Sequence, residues 1–199
     1  AGIYDRARTP ILPGQIEYDN EDGYYNLGSW EGNPIDSFAS MITGIHVKNV
    51  TICGKGVLDG RADFENWWSR PKDKIRAWRP RMIFLNHCEN ITVVGVTVQN
   101  SPAWNLHPYF SNQIRFLDME VKGPANSHNT DGCDPESCTN VEIAGVHFSV
   151  GDDCIAIKAA VSQILYFFSL LKVLNQSICS FIVSRTFKRY FRHFSNWFD

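Results

Sequence analysis

Apolar residues repeat along the middle of the chain in short segments that alternate with polar positions. Four six-residue segments align without gaps, and each has an apolar anchor in its fourth position and a second apolar residue two positions later. The anchors are Val50, Ile91, Ile114 and Val141, and the residues two positions on are Ile52, Val93, Phe116 and Ile143. Period-two alternation of β-branched and aromatic residues predicts short, half-buried strands.

The distances between the anchors predict how these strands are arranged. The anchors are 41, 23 and 27 residues apart, and periods in the twenties are typical of stacked repeats. Position four after the anchor is Gly54, Gly95, Asp118 and Gly145, and position seven is Val57, Val98, Val121 and Phe148. The sequence therefore predicts an all-β fold, a right-handed parallel β-helix whose coils lie ~4.8 Å apart.

An amide side chain precedes every anchor, at Asn49, Asn90, Gln113 and Asn140. We interpret this column as an inward-facing ladder of hydrogen bonds between coils, although asparagine is also common in turns. A ladder of this kind argues against glycosylation at Asn49 and Asn90, which begin Asn-x-Thr motifs.

Composition divides the chain into two regions near residue 160. The 199 residues carry a net charge of −2, but residues 1–160 sum to −6 and residues 161–199 to +4. The second region has no Gly, Pro or Glu and ten aromatic residues, and we find no continuing coil pattern in it. We expect a partial β-helix over 1–160 and an atypical tail over 161–199, either non-native sequence from a shifted reading frame or a basic helix.

The six cysteines do not form a zinc-binding pattern. Cys88 and Cys138 share one column two coils apart, ~9–10 Å, which is beyond the reach of a disulfide. A bond between Cys133 and Cys138 stays open.

A long insertion separates the first two coils. It holds Trp67, Trp68 and Trp78 together with six basic residues, Arg70, Lys72, Lys74, Arg76, Arg79 and Arg81. Such a loop would bind an anionic sugar chain by stacking and charge, or would be a solvated loop with a hydrophobic anchor, and the sequence favours neither.

Candidate chemistry lies in two acidic motifs, Asn-Thr-Asp-Gly at 129–132 and Gly-Asp-Asp-Cys at 151–154. Asp131 and Asp152 are 21 residues apart, about one coil, so Asp131, Asp152 and Asp153 are expected to share one surface. Like charges at close range raise one pKa, which provides an acid beside ionised bases, as glycoside hydrolysis requires. An isolated Asp-Asp pair is more often a turn or a calcium site.

The chain resembles the polygalacturonases, glycoside hydrolase family 28, from about residue 30 to residue 158. The resemblance rests on several motifs in order: Trp-Glu-Gly at 30–32, Gly-Val-Leu-Asp-Gly at 56–60, Arg-Pro-Arg at 79–81, Asn-Ser-Pro at 100–102, His-Pro at 107–108 and the two acidic motifs.

This resemblance implies hydrolysis of α-1,4-galacturonosidic links in pectin with inversion. Asp152 would be the general acid, and Asp131 and Asp153 would hold and activate water, ~6.5–9.5 Å from the acid. Substrate-binding residues would be Asn129, Lys158, His107 and Arg81, and Lys158 could instead be a solvated coil-end residue. No metal or cofactor is expected. The expected partner is a pectic polysaccharide, with no nucleic acid and no membrane.

Two family motifs beyond the paired aspartates, a Gly-His-Gly and an Arg-Ile-Lys that grips the substrate carboxylate, have no counterpart here. We therefore expect little or no activity from residues 1–199. The alternatives are a calcium-dependent pectate lyase and a non-catalytic carbohydrate-binding β-helix. We expect an extracellular or periplasmic monomer, although no signal peptide is visible in the sequence.

Overall fold

The computed structural model of the chain describes residues 27–159 and one strand at 172–174. These residues form strands, turns and loops, and none of them is helical. The strands are β1 (Ser29–Trp30), β2 (Asn33–Pro34), β3 (Ile42–Ile45), β4 (Lys48–Cys53), β5 (Val57–Asp59), β6 (Ile83–Asn86), β7 (Glu89–Val94), β8 (Thr97–Gln99), β9 (Leu106–Tyr109), β10 (Asn112–Leu117), β11 (Glu120–Lys122), β12 (Thr139–Ala144), β13 (His147–Ser149) and β14 (Lys172–Leu174).

The strands β1 and β2 pair antiparallel as a hairpin, and the remaining strands stack into three parallel sheets. Sheet 1 contains β3, β6 and β9, sheet 2 contains β4, β7, β10, β12 and β14, and sheet 3 contains β5, β8, β11 and β13. Each coil passes through the sheets in the order 1, 2, 3 before the chain rises to the next coil. Single bridges extend sheet 1 upward, from Leu106 to Cys133 and on to Ile155. The arrangement is the parallel β-helix that the sequence predicts.

The register of sheet 2 confirms the predicted anchor column. Ile91 pairs with Val50 below it and with Ile114 above it, and Ile114 pairs with Val141. Ile91 and Ile114 are buried in the core, where each stabilises the fold by roughly 1.5–3 kcal/mol. Alternating side chains of all three sheets meet in this core.

The predicted column in sheet 3 is wrong by one residue in the first coil. Leu58, not Val57, pairs with Val98, and Val57 is 57% exposed. The first coil has one more residue between Gly54 and this strand than the second coil has after Gly95, so a gapless alignment fails there.

The amide column lies on the outside of the molecule, contrary to the prediction. Asn90 donates to Asn49 Oδ1 at 2.7 Å, whereas Asn140 donates to Asn112 Oδ1 rather than to Gln113. All four column residues have a left-handed backbone, with φ between 52° and 59°, which turns their side chains outward. Asparagine tolerates this conformation better than most residues do, which accounts for asparagine at the second residue of β4, β7 and β12.

No disulfide bond joins the described cysteines, which are Cys53, Cys88, Cys133, Cys138 and Cys154. Ser111 lies between the columns of Cys88 and Cys138, accepting a hydrogen bond from Cys88 N and donating its backbone N–H to Cys138 Sγ. Cys88 and Cys138 are therefore two coils apart with Ser111 on the coil between them, as predicted. Cys133 and Cys138 are not joined.

Part of the tail continues the stack. β14 pairs with β12 in parallel register, with Val173 opposite Ile143, so this one strand adds a layer to sheet 2. The rest of the tail lies outside the described residues. Over the described part of the chain there is no helix with the length and apolar character needed to cross a bilayer.

The insertion between β5 and β6 is anchored by its tryptophans. Trp67 and Trp68 are 1% and 3% exposed and form a second small core with Phe38, Ala62 and Ala77. This pair is therefore a hydrophobic anchor, whereas Trp78 stays partly exposed.

Candidate active site

Asp131 and Asp153 occupy equivalent positions on successive coils. Each lies two residues before a bridge residue of sheet 1, since Cys133 pairs with Ile155. Gly132 N donates to the Asp153 carbonyl at 2.8 Å, which fixes the two segments side by side. Coil stacking therefore places the two aspartates one above the other, as the sequence predicts.

Asp152 reaches the same place from the turn that precedes Asp153. It is exposed, and its Oδ1 accepts the backbone N–H of Asp153 at 3.0 Å. The turn is held by Gly151, whose N–H donates to Thr130 Oγ1 at 3.1 Å. A Cβ at Gly151 would lie 2.4 Å from the Ser127 carbonyl oxygen, so close approach of the backbone requires glycine here.

We call Asp131, Asp152 and Asp153 the acid cluster. One oxygen from each carboxylate lies within 4.8 Å of one from each of the others. The predicted gap of ~6.5–9.5 Å between acid and base is therefore absent between these atoms. The physical reason is that neighbouring coils are ~4.8 Å apart, so stacked side chains stay at about that distance.

The same spacing would suit a cation. Within the described residues, the acid cluster is the one group of three or more acids, histidines or cysteines close enough to share a metal ion. Oxygen donors of this kind fit calcium or magnesium, although both ions need more ligands than three carboxylate oxygens.

Lys158 lies beneath the acid cluster and is 9% exposed, so it is not the solvated coil-end lysine that the sequence left open. Its Nζ is 2.6 Å from Asp134 Oδ1, 3.5 Å from Asp131 Oδ2 and 4.2 Å from the centre of the Trp104 ring. The ammonium group of Lys158 therefore contacts Asp131 and Asp134 and is not exposed at the surface.

Burial changes the pKa values of the acidic side chains in this region. Burial raises the pKa of Asp131 to about 6, with the Asp152 charge adding to the rise and Lys158 opposing it. Burial also raises the pKa of Asp153 and, more strongly, that of Asp134. One lysine charge offsets one carboxylate, so one of the two acids beside Lys158 keeps its proton to higher pH.

Asn129 stands at the edge of the acid cluster and is half-buried. Its backbone is left-handed, with φ of 57°, and its Oδ1 accepts a hydrogen bond from Arg79 Nη2 at 3.0 Å. Arg79 also donates to the carbonyls of Pro102 and His128. Arg79 therefore holds the side chain of Asn129 in place.

The structure places His107 and Arg81 deeper than the sequence predicts. His107 is fully buried, so the predicted direct contact with substrate is not available to it as placed. Its Nε2 lies 3.2 Å from Glu136 Oε2, and Ser29 bonds to the same carboxylate. Burial lowers the pKa of His107 to about 4, so the ring is neutral at neutral pH.

Arg81 is 1% exposed, stacks on Trp104 at 4.7 Å and donates to the carbonyls of Arg79 and Ser29. Arg81 and the His107–Glu136–Ser29 contacts fasten the β1–β2 hairpin to sheet 1. These side chains shape the site from below.

Sequence reasoning missed Asp134 and Glu136. Both are fully buried, although they alternate with the core residue Cys133 and so point to the outer face of sheet 1. The signal was the sheet 1 register: Tyr109 pairs with Glu136, and Glu136 with Lys158. The repeats visible in the sheet 2 strands do not reach these positions.

The described part of the chain is thus a parallel β-helix that gathers three carboxylates on one outer face. Residues 24–169 match the family described as Glycosyl hydrolases family 28, and the chain belongs to this family. A probable polygalacturonase of Vitis vinifera is 37% identical over 124 residues, which cover 61% of this chain and 25% of that protein. An endo-polygalacturonase of Pectobacterium carotovorum is 33% identical over 154 residues, covering 71% and 37%.

Solved structures agree with the fold. A hyperthermoactive exopolygalacturonase from Thermotoga maritima superposes with a TM-score of 0.60 and 28% identity, covering 67% of this chain and 38% of that one. A polygalacturonase from Erwinia carotovora superposes with a TM-score of 0.59 and 25% identity, covering 82% and 44%. These matches confirm the predicted right-handed parallel β-helix. The chain thus spans about a quarter to two fifths of the curated relatives' length.

Proposed function

We propose that the protein hydrolyses α-1,4-galacturonosidic links in pectin or polygalacturonate. The single observation that carries this proposal is the convergence of the acid cluster, whose carboxylate oxygens lie within 4.8 Å of one another on one outer face. Membership of glycosyl hydrolase family 28 and the polygalacturonase relatives support the substrate class.

The exposure of each acid supports a division of roles. Asp152 is exposed at the turn, where a bound glycosidic oxygen can reach it, and it acts as the general acid. Asp131 and Asp153 lie deeper, on successive coils, and hold and activate the water. Because its pKa is about 6, Asp131 is the ionised base only above that pH.

Inversion at the anomeric carbon follows from the family resemblance and not from the spacing. Carboxyl groups about 5–5.5 Å apart are typical of retaining enzymes, so an inverting reaction here needs its water beside the cluster and not between acid and base. The anomer that forms first, observed by NMR during hydrolysis, separates the two outcomes.

The partner is a pectic polysaccharide or oligogalacturonide, bound as a polyanion. Asn129 and the cationic side chains below it support this assignment, because Arg79 and Arg81 bring positive charge close to the groove. We propose further that the protein acts as a monomer, without nucleic acid or membrane as a partner, in the extracellular or periplasmic space where pectin occurs.

The activity of residues 1–199 is proposed to be impaired. The acids are present, but no Gly-His-Gly or Arg-Ile-Lys follows them to grip the substrate carboxylate. We define the extended chain as residues 1–158 followed by the C-terminal part of a family member chosen because it carries both motifs.

The test compares the two proteins on polygalacturonate, with reducing ends and unsaturated product measured in the same samples. The extended chain should release reducing ends and no unsaturated sugar, whereas residues 1–199 should release few or none. An extended chain that unfolds cooperatively but releases no reducing ends would contradict the hydrolase proposal. Rapid hydrolysis by residues 1–199 would contradict the proposed impairment.

A pectate lyase is the second candidate, because the acid cluster is compact enough to hold a calcium ion. A lyase breaks the link by elimination, so its product absorbs in the ultraviolet. Calcium-dependent absorbance without a matching hydrolytic product would favour this alternative. Binding of polygalacturonate with no product of either kind would favour a non-catalytic β-helix.

A further inference from the structure

A cavity of about 430 Å³ opens beside the acid cluster on the N-terminal side of the stack. Its lining combines aromatic and aliphatic side chains with polar ones, including Trp30, Ile35, Pro71, Lys72, Trp78 and Asn129. Ligand sites commonly have this volume and this combination of apolar walls with a few polar groups.

The cavity is continuous with the catalytic surface. Asn129 belongs to its wall and lies two residues before Asp131. Arg81, another wall residue, lies two coils below Asp131, because Ile83, Leu106 and Cys133 follow one another in the sheet 1 register. At the coil spacing this is ~10 Å, so a chain-like ligand held at the acid cluster can extend into the cavity.

The walls are rigid. The Trp30 ring stacks on Trp104, with centroids 5.0 Å apart and planes at 21°. Arg79 is held by carbonyl oxygens of Pro102 and His128 at 2.5 and 2.8 Å. A preformed wall spends little conformational entropy on binding.

The charged side chains that line the cavity are all basic. Lys72, Arg79 and Arg81 line the cavity, and no acidic residue is among its lining residues in the described part of the chain. Lys72 is the exposed member of the three and forms no ion pair with a residue that the structure describes, whereas Lys74 nearby is paired with Asp36 at 2.6 Å. The cavity therefore favours an anionic ligand with an apolar face.

We propose that this cavity is a remote subsite for a uronate residue of the polysaccharide chain whose link is held at the acid cluster. The sugar ring packs its C–H face against Trp78 and Trp30, and its carboxylate faces Lys72. Dispersion against the indole rings and one charge-assisted contact provide the binding. This inference rests on the proposed substrate and adds a specificity determinant that lies outside the acidic motifs.

The test measures binding and not turnover. Galacturonate dimers and hexamers are titrated calorimetrically into residues 1–199 carrying Asp152→Asn, so that no product forms. Two further variants are compared: Lys72→Met, and Lys74→Met as the matched control two residues away on the same loop. Only the hexamer is long enough to reach both the acid cluster and the cavity.

Lys72→Met should weaken hexamer binding about threefold, in line with a partly exposed ion pair, and Lys74→Met should not. Lys72→Met should weaken dimer binding less than hexamer binding, because a dimer held at the acid cluster does not reach Lys72. A fully methyl-esterified hexamer, which has no charge, should bind Lys72→Met and its parent equally. Trp78→Ala, with its fold checked by cooperative unfolding, should weaken binding of both hexamers about tenfold.

Equal hexamer affinity in the Lys72→Met and Lys74→Met proteins would overturn the subsite. The outcome is independent of catalysis: a length-dependent Lys72 effect in a chain that never hydrolyses pectin keeps the subsite and removes the hydrolase proposal. Hydrolysis by the extended chain without an effect of Lys72→Met on hexamer binding would keep the hydrolase proposal and remove the subsite.

Discussion

Asp131, Asp134 and Lys158 share one buried space at the acid cluster. A single cation lies between two carboxyl groups, 2.6 Å from one and 3.5 Å from the other. Water cannot solvate the second negative charge there, so the site keeps a proton on one acid up to pH values at which free aspartate is ionised. This cost in stability is consistent with a functional site.

Asp131→Asn should change how stability depends on pH. The folded-state pKa of Asp131 is raised from 3.8 to about 6, so folding binds a proton more tightly and stability falls as pH rises between those values. Across that pH range, ionisation of Asp131 lowers the free energy of unfolding by about 3 kcal/mol. Asparagine does not ionise, so the Asp131→Asn protein should not lose this stability.

Urea unfolding at pH 4 and pH 7.5 measures this effect. The free energy of unfolding of Asp131→Asn, relative to the parent chain, should be higher at pH 7.5 than at pH 4. Asp73→Asn, an exposed control, should show no such change. A difference between Asp131→Asn and parent that is the same at both pH values would contradict the raised pKa.

Lys158→Met should move the pH profile of hydrolysis. Removing the ammonium group removes the charge that lowers the pKa of Asp131, so that pKa rises further. In the extended chain, the acidic limb of the rate should therefore shift to higher pH by about one unit. The exposed Lys122→Met serves as control, and an unmoved limb in Lys158→Met would exclude coupling between the two side chains.

The acid cluster could be predicted from the sequence because its residues lie in two short motifs one coil apart. The burial of Lys158 and His107 could not, because it depends on the β1–β2 hairpin covering sheet 1, where Ser29 contacts both Glu136 and His107. Distant contacts of this kind leave no local pattern.

At the scale of the elements, the second residue of β4, β7, β10 and β12 has a left-handed backbone. The amide column occupies this position on four coils, with Asn90 bonded to Asn49 on the coil below. The column thus combines a backbone requirement with a side-chain bond between coils.

Asn90→Ala and Asn90→Gly separate these two contributions. Glycine accepts φ of 53° but loses the 2.7 Å bond to Asn49, which should cost about 1 kcal/mol. Alanine loses the bond and adds left-handed strain, for a total of about 2 kcal/mol or more. Thermal and urea unfolding measure both, and a glycine variant no more stable than the alanine variant would contradict the backbone role.

The strand columns of sheet 2 could be predicted because they repeat without insertions. The sheet 3 column failed at Val57, since one extra residue after Gly54 shifts every following side chain to the other face. The sheet 1 strands were not predicted at all. Their outer faces carry Phe84, His107 and Asp134 and are covered, so they lack polar alternation.

At the scale of the whole molecule, stacking is what turns a 21-residue separation into a shared site. Each coil adds one layer, and the acid cluster lies where two layers meet. The structure places β14 on the next layer of sheet 2, so the stack continues past the acidic motifs. The proposed division at residue 160 stays a prediction.

Metal removal tests whether the acid cluster catalyses hydrolysis without a bound cation. Hydrolysis by the extended chain should be unchanged in EDTA and should not rise on addition of calcium, because acid–base hydrolysis by carboxylates needs no ion. A loss of activity in EDTA that calcium restores would contradict this mechanism and favour the lyase.

The central claim is that Asp131, Asp152 and Asp153 act together on one glycosidic link. The most direct measurement is reducing-end release from polygalacturonate by the extended chain carrying each Asp→Asn change singly, with Asp73→Asn as control. Each of the three changes should lower the rate by about 10²-fold or more, and the control should match the parent. Full activity in Asp152→Asn would contradict the claim.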